Sequence, residues 1–196
     1  METLAKFLRK IRRLSYLERC SNTLHIQRYP VAEHTFYTAF LTMLFADLEN
    51  RRWLIEEGVV EYYNAEKALR KALIHDLEES ITGDILYPIK NEDKEFSHVI
   101  KAIIGNIVDR ELFEELPRHI REMYERLWHE SKDESREGKL ISAMDKLEIL
   151  LYADSEISLG NHSLNIIHEK AKEILLRDFE DIITLQLFIK SMKLED

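Results

Sequence analysis

The stretches Ile74-His75-Asp76-Leu77 and Ala143-Met144-Asp145-Lys146 set ionisable side chains inside apolar helical runs, and Ala32-Glu33-His34-Thr35 does much the same on another segment. An imidazole or carboxylate turned towards a core is costly unless it is paired or coordinates a metal. If three helices bring them together, His34, His75, Asp76 and Asp145 form a mixed nitrogen and oxygen donor set. Such a set suits one divalent transition metal ion (Mn²⁺, Co²⁺, Fe²⁺, Zn²⁺ or Ni²⁺) better than Ca²⁺ or Mg²⁺, which prefer oxygen alone. Four protein ligands on an octahedral ion leave positions open for water or a substrate oxygen, as catalysis requires. Each residue alone is a weak signal. A lone His in an apolar helix is more often a core or surface residue, and His25, His98, His119, His129, His162 and His168 are read that way. Asp145 could equally pair with a buried Arg.

The elements that must position these residues are helices. The chain has 196 residues, 45% of them hydrophobic and 33% charged, with only 5 Gly and 3 Pro, so it has the length for a real core and long elements. Periodicity predicts helices over about residues 3–15, from Val31 to Asn50 after Pro30, and from an Asn64 cap to about Glu79. Thr82-Gly83-Asp84 reads as a turn that Pro88 extends. Further helices are expected over about 93–109, after Pro117, and over about 134–159 with a stop at Gly160-Asn161. A last, C-terminal packing helix is expected over about 165–192. The apolar positions of the 31–50 segment cover more than one face, which predicts a central, buried helix. There is no convincing alternating strand, internal repeat or low-complexity linker, so the expected fold is all-α, one domain over residues 1–196 with its core in about 5–160.

Composition narrows the function classes. A formal net charge of −9 argues against broad nucleic-acid binding. No apolar run is long enough to span a bilayer, and the first residues lack the layout of a secretory signal. The single Cys20 excludes an internal disulfide and fits a reducing cytosol, so a cytoplasmic location is expected. The N-terminal segment is locally basic through Lys6, Arg9, Lys10, Arg12, Arg13 and Arg19. It reads as an amphipathic helix with a solvated basic face, or else as a basic lip beside an anionic site.

Three blocks resemble the HD-domain phosphohydrolases and, among them, the small 5′-deoxynucleotidases. Leu17-Glu18-Arg19-Cys20 followed by Val31-Ala32-Glu33-His34-Thr35 resembles the family's Arg-containing loop and helix start. His75, Asp76, Glu79, Gly83, Asp84, Pro88 and Lys90 are similar to the signature HDxxExxxGDxxxPxK at every fixed position. Met144-Asp145-Lys146-Leu147-Glu148 resembles the helix that carries the last metal ligand. The resemblance implies an HD-type bundle with the metal site between its central helices, and His34, His75, Asp76 and Asp145 as ligands. It makes Glu79 the residue that orients the attacking water, Asp84 a catalytic carboxylate near phosphate and sugar, and Arg19 the phosphate-binding group. Lys90 and Glu130 fall on recurrent family positions, either supporting the site or structural. One departure stands out: the family has Trp directly after the phosphate-binding Arg, and its ring helps reject the 2′-hydroxyl, whereas this chain has Cys20. The smaller side chain puts the choice between deoxyribose and ribose in question and leaves room for a larger substrate.

The implied activity is metal-dependent hydrolysis of a phosphate monoester, a ribo- or deoxyribonucleoside 5′-monophosphate. The alternatives keep the fold and change the role: a nucleoside triphosphate, alarmone or other phosphate-ester hydrolase, or a non-catalytic nucleotide-binding HD protein. Loss of a ligand or of the catalytic Glu would mark the last of these. The resemblance also implies a homodimer, for which Ile182, Ile183, Leu185, Leu187, Phe188 and Ile189 offer apolar surface, although these residues are as readily core.

Overall fold

In the computed structural model, which describes residues 2–56, 62–85 and 94–192, regular structure is helical and no strand occurs among the described residues. Helix α1 spans Glu2–Ile11 and continues as a 3₁₀ turn, Arg12–Ser15. It is followed by α2 (Val31–Glu56), α3 (Ala65–Ile74) and the single turn α4 (Glu79–Thr82). Then come α5 (Lys94–Glu111), α6 (Arg118–His129), α7 (Arg136–Ser158), α8 (Asn165–Asp178) and α9 (Ile183–Ser191). No helix among the described residues is long and apolar enough to cross a membrane.

Most of the expected helix ends are present. The Asn64 side chain accepts the Lys67 amide at 2.9 Å, and the Pro30 carbonyl accepts the His34 amide at 3.1 Å. Helix α7 stops at Gly160, whose φ of +94° suits a residue without Cβ. Three expectations change. Helix α2 runs on to Glu56, well past Asn50. The helix expected to reach Glu79 breaks after Ile74. The single C-terminal helix expected over 165–192 is two helices with a corner between Asp178 and Ile183. The Gln186 amide closes that corner by donating to the carbonyls of Leu175 and Phe179, both at 2.9 Å, while buried Glu49 of α2 accepts the Thr184 amide at 2.6 Å.

Helices α2, α3 and α7 pack against one another at the centre. Ala39, Ala46, Ala68, Ala72 and Ala143 are almost wholly buried and let these helices approach closely. Around them the apolar side chains form two main clusters. One joins α2, α7, α8 and α9 through Phe45, Met144, Leu147, Leu175 and Leu185. The other joins α1, α3 and α5 through Phe7, Ile74, Leu77, Val108 and Leu112. The C-terminal apolar residues divide accordingly, with Ile182, Leu185 and Ile189 in the core and Ile183, Leu187 and Phe188 exposed. Helix α2 is central but not buried all round, since Phe36, Phe40, Leu44 and Leu48 recur every fourth residue and lie exposed. The basic N-terminal helix follows its amphipathic reading: Phe7 and Leu14 are buried, and Lys10 reaches Glu115 at 2.9 Å.

The start of α7 depends on one close approach. Ser135 caps it by accepting the Gly138 amide at 3.2 Å, and a Cβ on Gly138 would stand 2.3 Å from the Asp133 carbonyl oxygen. That contact is with backbone, which cannot turn aside as a side-chain tip can. Gly138→Ala is expected to lower unfolding free energy by about 1–3 kcal/mol in denaturant titration.

Candidate metal centre

The donors arrive from three elements. His34 sits in the first turn of α2, Asp145 in the middle of α7, and His75 and Asp76 just past the end of α3. On a continuous helix, adjacent side chains diverge by about 100°. Here the backbone tightens instead: the amides of Leu77, Glu79 and Ser80 donate to the carbonyls of Ile74, Asp76 and Leu77, each three residues back, at 3.2, 3.1 and 3.1 Å. The tightened turn aims both side chains at one point. Donor atoms of His34, His75, Asp76 and Asp145, all buried, lie within 4.8 Å of one another and could hold a metal ion.

The second nitrogen of each imidazole is engaged. His75 Nδ1 pairs with the Ala72 carbonyl at 2.6 Å, and His34 Nδ1 pairs with Glu148, which also accepts the Tyr29 hydroxyl. This assigns both Nε2 atoms to the centre. His34 Nε2 lies 3.1 Å from Asp145 Oδ1 and 3.4 Å from Asp76 Oδ2, and His75 Nε2 lies 3.1 Å from the same Asp76 oxygen. His75 Nε2 and Asp145 Oδ1 are buried without a well-formed hydrogen bond. Polar atoms in that state call for a ligand.

The local electrostatics favour positive charge at this point. Burial and Arg19 oppose a protonated His34, yet Glu148, Asp145 and Asp76 outweigh them and lift its pKa to about 10. Burial also opposes ionisation of the carboxyls. His75 and Lys132 nevertheless hold Asp76 well below the usual carboxylate range, and Lys132 and Lys146 do the same for Asp145. Burial pushes His75 below its ordinary value, towards the neutral ring a metal needs. Ionised carboxylates beside an available imidazole nitrogen fit a divalent transition metal ion.

Arg19 stands beside the donors. It is carried by a loop closed where its amide donates to the Tyr29 carbonyl and the Val31 amide to the Leu17 carbonyl, both at 2.8 Å. Glu156 of α7 fastens the far side of that loop by accepting the Ile26 and Gln27 amides at 2.8 and 2.7 Å. The guanidinium reaches Asp76 Oδ2 at 2.7 Å, lies 3.6 Å from Asp145 Oδ1, and comes within 4.0 Å of buried Glu79. Cys20 follows with a left-handed φ of +50°, a strained setting for a residue other than Gly. It is held there by Asp84 Oδ2, which accepts its amide at 2.9 Å. Burial pushes the Cys20 thiol up to about 11.

Among the residues singled out in the sequence, His34, His75, Asp76, Asp145, Arg19 and Glu79 are therefore brought together, and Cys20 and Asp84 adjoin them. Lys90 lies outside the described residues. Glu130 faces the ammonium groups of Lys67 and Lys71, at 4.0 and 3.9 Å, and not the donors. Four contributors were not read from the sequence: Tyr29, Glu148, Lys132 and Lys146. Glu148 had a signal, since it stands one helical turn after Asp145 on α7. Glu148→Ala is expected to weaken divalent-ion binding about 10–100-fold by calorimetry, because His34 loses the partner that orients its ring.

A family model described as 5′-deoxynucleotidase YfbR-like matches residues 6–194. A 5′-deoxynucleotidase of Photorhabdus laumondii is 29% identical over 163 residues, covering 83% of this chain and 79% of that protein. One from an Enterobacter species is 26% identical over 190 residues, covering 96% and 92%. Among solved structures, an HD-domain phosphohydrolase from Listeria innocua superposes with a TM-score of 0.77 at 24% identity, covering 96% of this chain and 87% of that one. The HD phosphohydrolase of cyanophage S-2L, solved with dA and one catalytic Zn²⁺ ion, gives a TM-score of 0.60 at 17% identity over 94% of this chain and 96% of its own. With the helical fold and the His/Asp cluster already in place, the match over residues 6–194 settles the family: this chain belongs to the YfbR-like 5′-deoxynucleotidases.

Proposed function

We propose that this protein hydrolyses nucleoside 5′-monophosphates to nucleoside and phosphate, using one divalent transition metal ion held by His34, His75, Asp76 and Asp145. The observation that carries the reading is the buried donor cluster with a guanidinium beside it, a cation site adjoining an anion-binding group. The names of the curated relatives support the substrate class, and the Zn²⁺ in the cyanophage enzyme supports a transition metal.

When bound, the ion supplies Lewis acidity to the phosphoryl group and lowers the pKa of water. Arg19 grips the phosphoryl oxygens through paired N–H groups and offsets the charge that develops on them. Glu79, buried one turn beyond the ligands, orients the attacking water and accepts its proton. Asp84 holds the Cys20 backbone and with it the Arg19 loop on the sugar side. Because Cys20 is small, ribo- and deoxyribonucleotides are both expected to be accepted.

The test is a screen for phosphate release over nucleoside mono- and triphosphates, ribo and deoxy, with Mn²⁺, Co²⁺, Zn²⁺ or Ni²⁺. Monophosphates are expected to release phosphate, and triphosphate release instead would assign a different substrate. His75→Ala and Asp145→Ala are expected to lose bound metal and activity together. Glu79→Gln is expected to keep the metal and lose about 10²–10⁴-fold in kcat. Full turnover by a metal-free variant would overturn the mechanism.

We also propose that the protein works as a homodimer and that a second copy covers the exposed α2 stripe of Phe36, Phe40, Leu44 and Leu48. Phe40→Glu combined with Leu44→Glu is expected to halve the mass measured by light scattering while leaving the helical signal intact.

A further inference from the structure

Lys132 is on no helix. It lies in the connection between α6 and α7, which is held from several sides. The fully buried ammonium of Lys71 stands 3.3 Å from both Asp133 carboxylate oxygens and from the Ser135 hydroxyl. Asp133 accepts the Ser135 amide at 3.1 Å, Ser135 accepts the Gly138 amide at 3.2 Å, and Gly138 leaves room for Asp133 to lie against α7. A buried ammonium tolerates few arrangements of its partners, so this connection has a set geometry. Its effect is to deliver Lys132 to the metal centre.

There the Lys132 ammonium lies 2.9 Å from Asp145 Oδ2 and 3.6 Å from Asp76 Oδ1. These are the carboxylate oxygens turned away from the imidazoles, which face Asp145 Oδ1 and Asp76 Oδ2. Asp76 thus carries a cation on each oxygen, Arg19 on one and Lys132 on the other. The two cations front the buried donors: the side chains of Lys132 and Arg19 are 34% and 14% exposed, those of the two carboxylates 6%.

Once Asp76 and Asp145 balance a divalent cation, the charges of Lys132 and Arg19 are left over, and a dianionic ligand matches them. An ammonium has three N–H donors on a flexible stem, so Lys132 can keep one on Asp145 and give another to a ligand. We propose that Lys132 is a phosphoryl-binding residue. It takes a phosphoryl oxygen from the Asp76 Oδ1 side as Arg19 does from the Oδ2 side, and together they favour a dianionic monoester over a singly charged diester. This rests on the phosphomonoesterase reading above.

The test uses the Co²⁺-loaded protein, Lys132→Met and Lys132→Arg, with inorganic phosphate as the calorimetric probe. Lys132→Met is expected to retain its metal while phosphate Kd and the KM for a deoxynucleoside monophosphate rise about tenfold or more, with kcat less affected. Lys132→Arg is expected to bring phosphate binding back to within about threefold of the parent. Unchanged phosphate Kd and KM in Lys132→Met would overturn the proposal. So would loss of metal in that variant with phosphate affinity intact after reloading, which would make Lys132 a support for the carboxylates alone. If the parent protein binds phosphate yet hydrolyses no monophosphate, the phosphomonoesterase reading fails, while the phosphate titration still decides the role of Lys132.

Discussion

Two ionised carboxylates, Asp76 and Asp145, are buried beside each other and beside the imidazoles of His34 and His75, and most of the surrounding design answers that burden. Negative charge removed from water is tolerated only where positive charge or hydrogen-bond donors replace the lost hydration. The chain supplies positive charge from several directions. Arg19 comes from a loop, Lys132 from a connection between helices, and Lys146 from the residue after Asp145, 3.0 Å from its Oδ2. Two of these cations are held by a device of their own: Arg19 by a loop closed at Glu18 and Pro30, and Lys132 by a connection pinned on buried Lys71.

The imidazoles are held as firmly as the charges. Glu148 joins His34 to the Tyr29 hydroxyl, and the Tyr29 ring stacks on Tyr152 with centroids 3.8 Å apart and planes 6° from parallel. Tyr29 also ends the loop that carries Arg19, and Tyr152 and Glu156 belong to the helix that carries Asp145. His34, Arg19 and the loop that carries Arg19 therefore share one aromatic and carboxylate framework. A shift in the loop is felt at the His34 ring. Such stiffness suits a site whose work is to hold reacting groups in register.

The site was most legible in the sequence where it is written contiguously, while His34, Asp145 and Arg19, far from that segment, were named from separate blocks of their own. His75, Asp76, Glu79, Gly83 and Asp84 fall within one short segment, where spacing alone constrains their arrangement. Lys132 is an ordinary charged residue in a charge-rich chain, and only the fold gives it its partners, while Glu148 carried no more than its spacing from Asp145. The break after Ile74 was hidden because neither Gly nor Pro marks it and Leu77, Glu78 and Glu79 just beyond have good helix propensity, a preference that a run of tight turns overrides. The corner between α8 and α9 has neither Gly nor Pro to announce it, and Gln186 closes it from a distance. Apolar periodicity located α2 but could not say which face meets the core and which meets solvent, because both faces are apolar.

The donors lie where the two apolar clusters meet. Ile74 and Leu77 of one cluster bracket His75 and Asp76, and Met144 and Leu147 of the other bracket Asp145. Neither half of the molecule owns the centre, so a partly unfolded chain with either cluster loosened has no binding site to offer. An ion held by this cluster would act as a clasp between the halves. By mass action it would stabilise only the fully closed fold, by about 2.7 kcal/mol when free ion stands a hundredfold above its Kd. Loading with metal would then double as a check on the completeness of folding, and damage remote from the donors would register first as ion leaking from an otherwise intact chain.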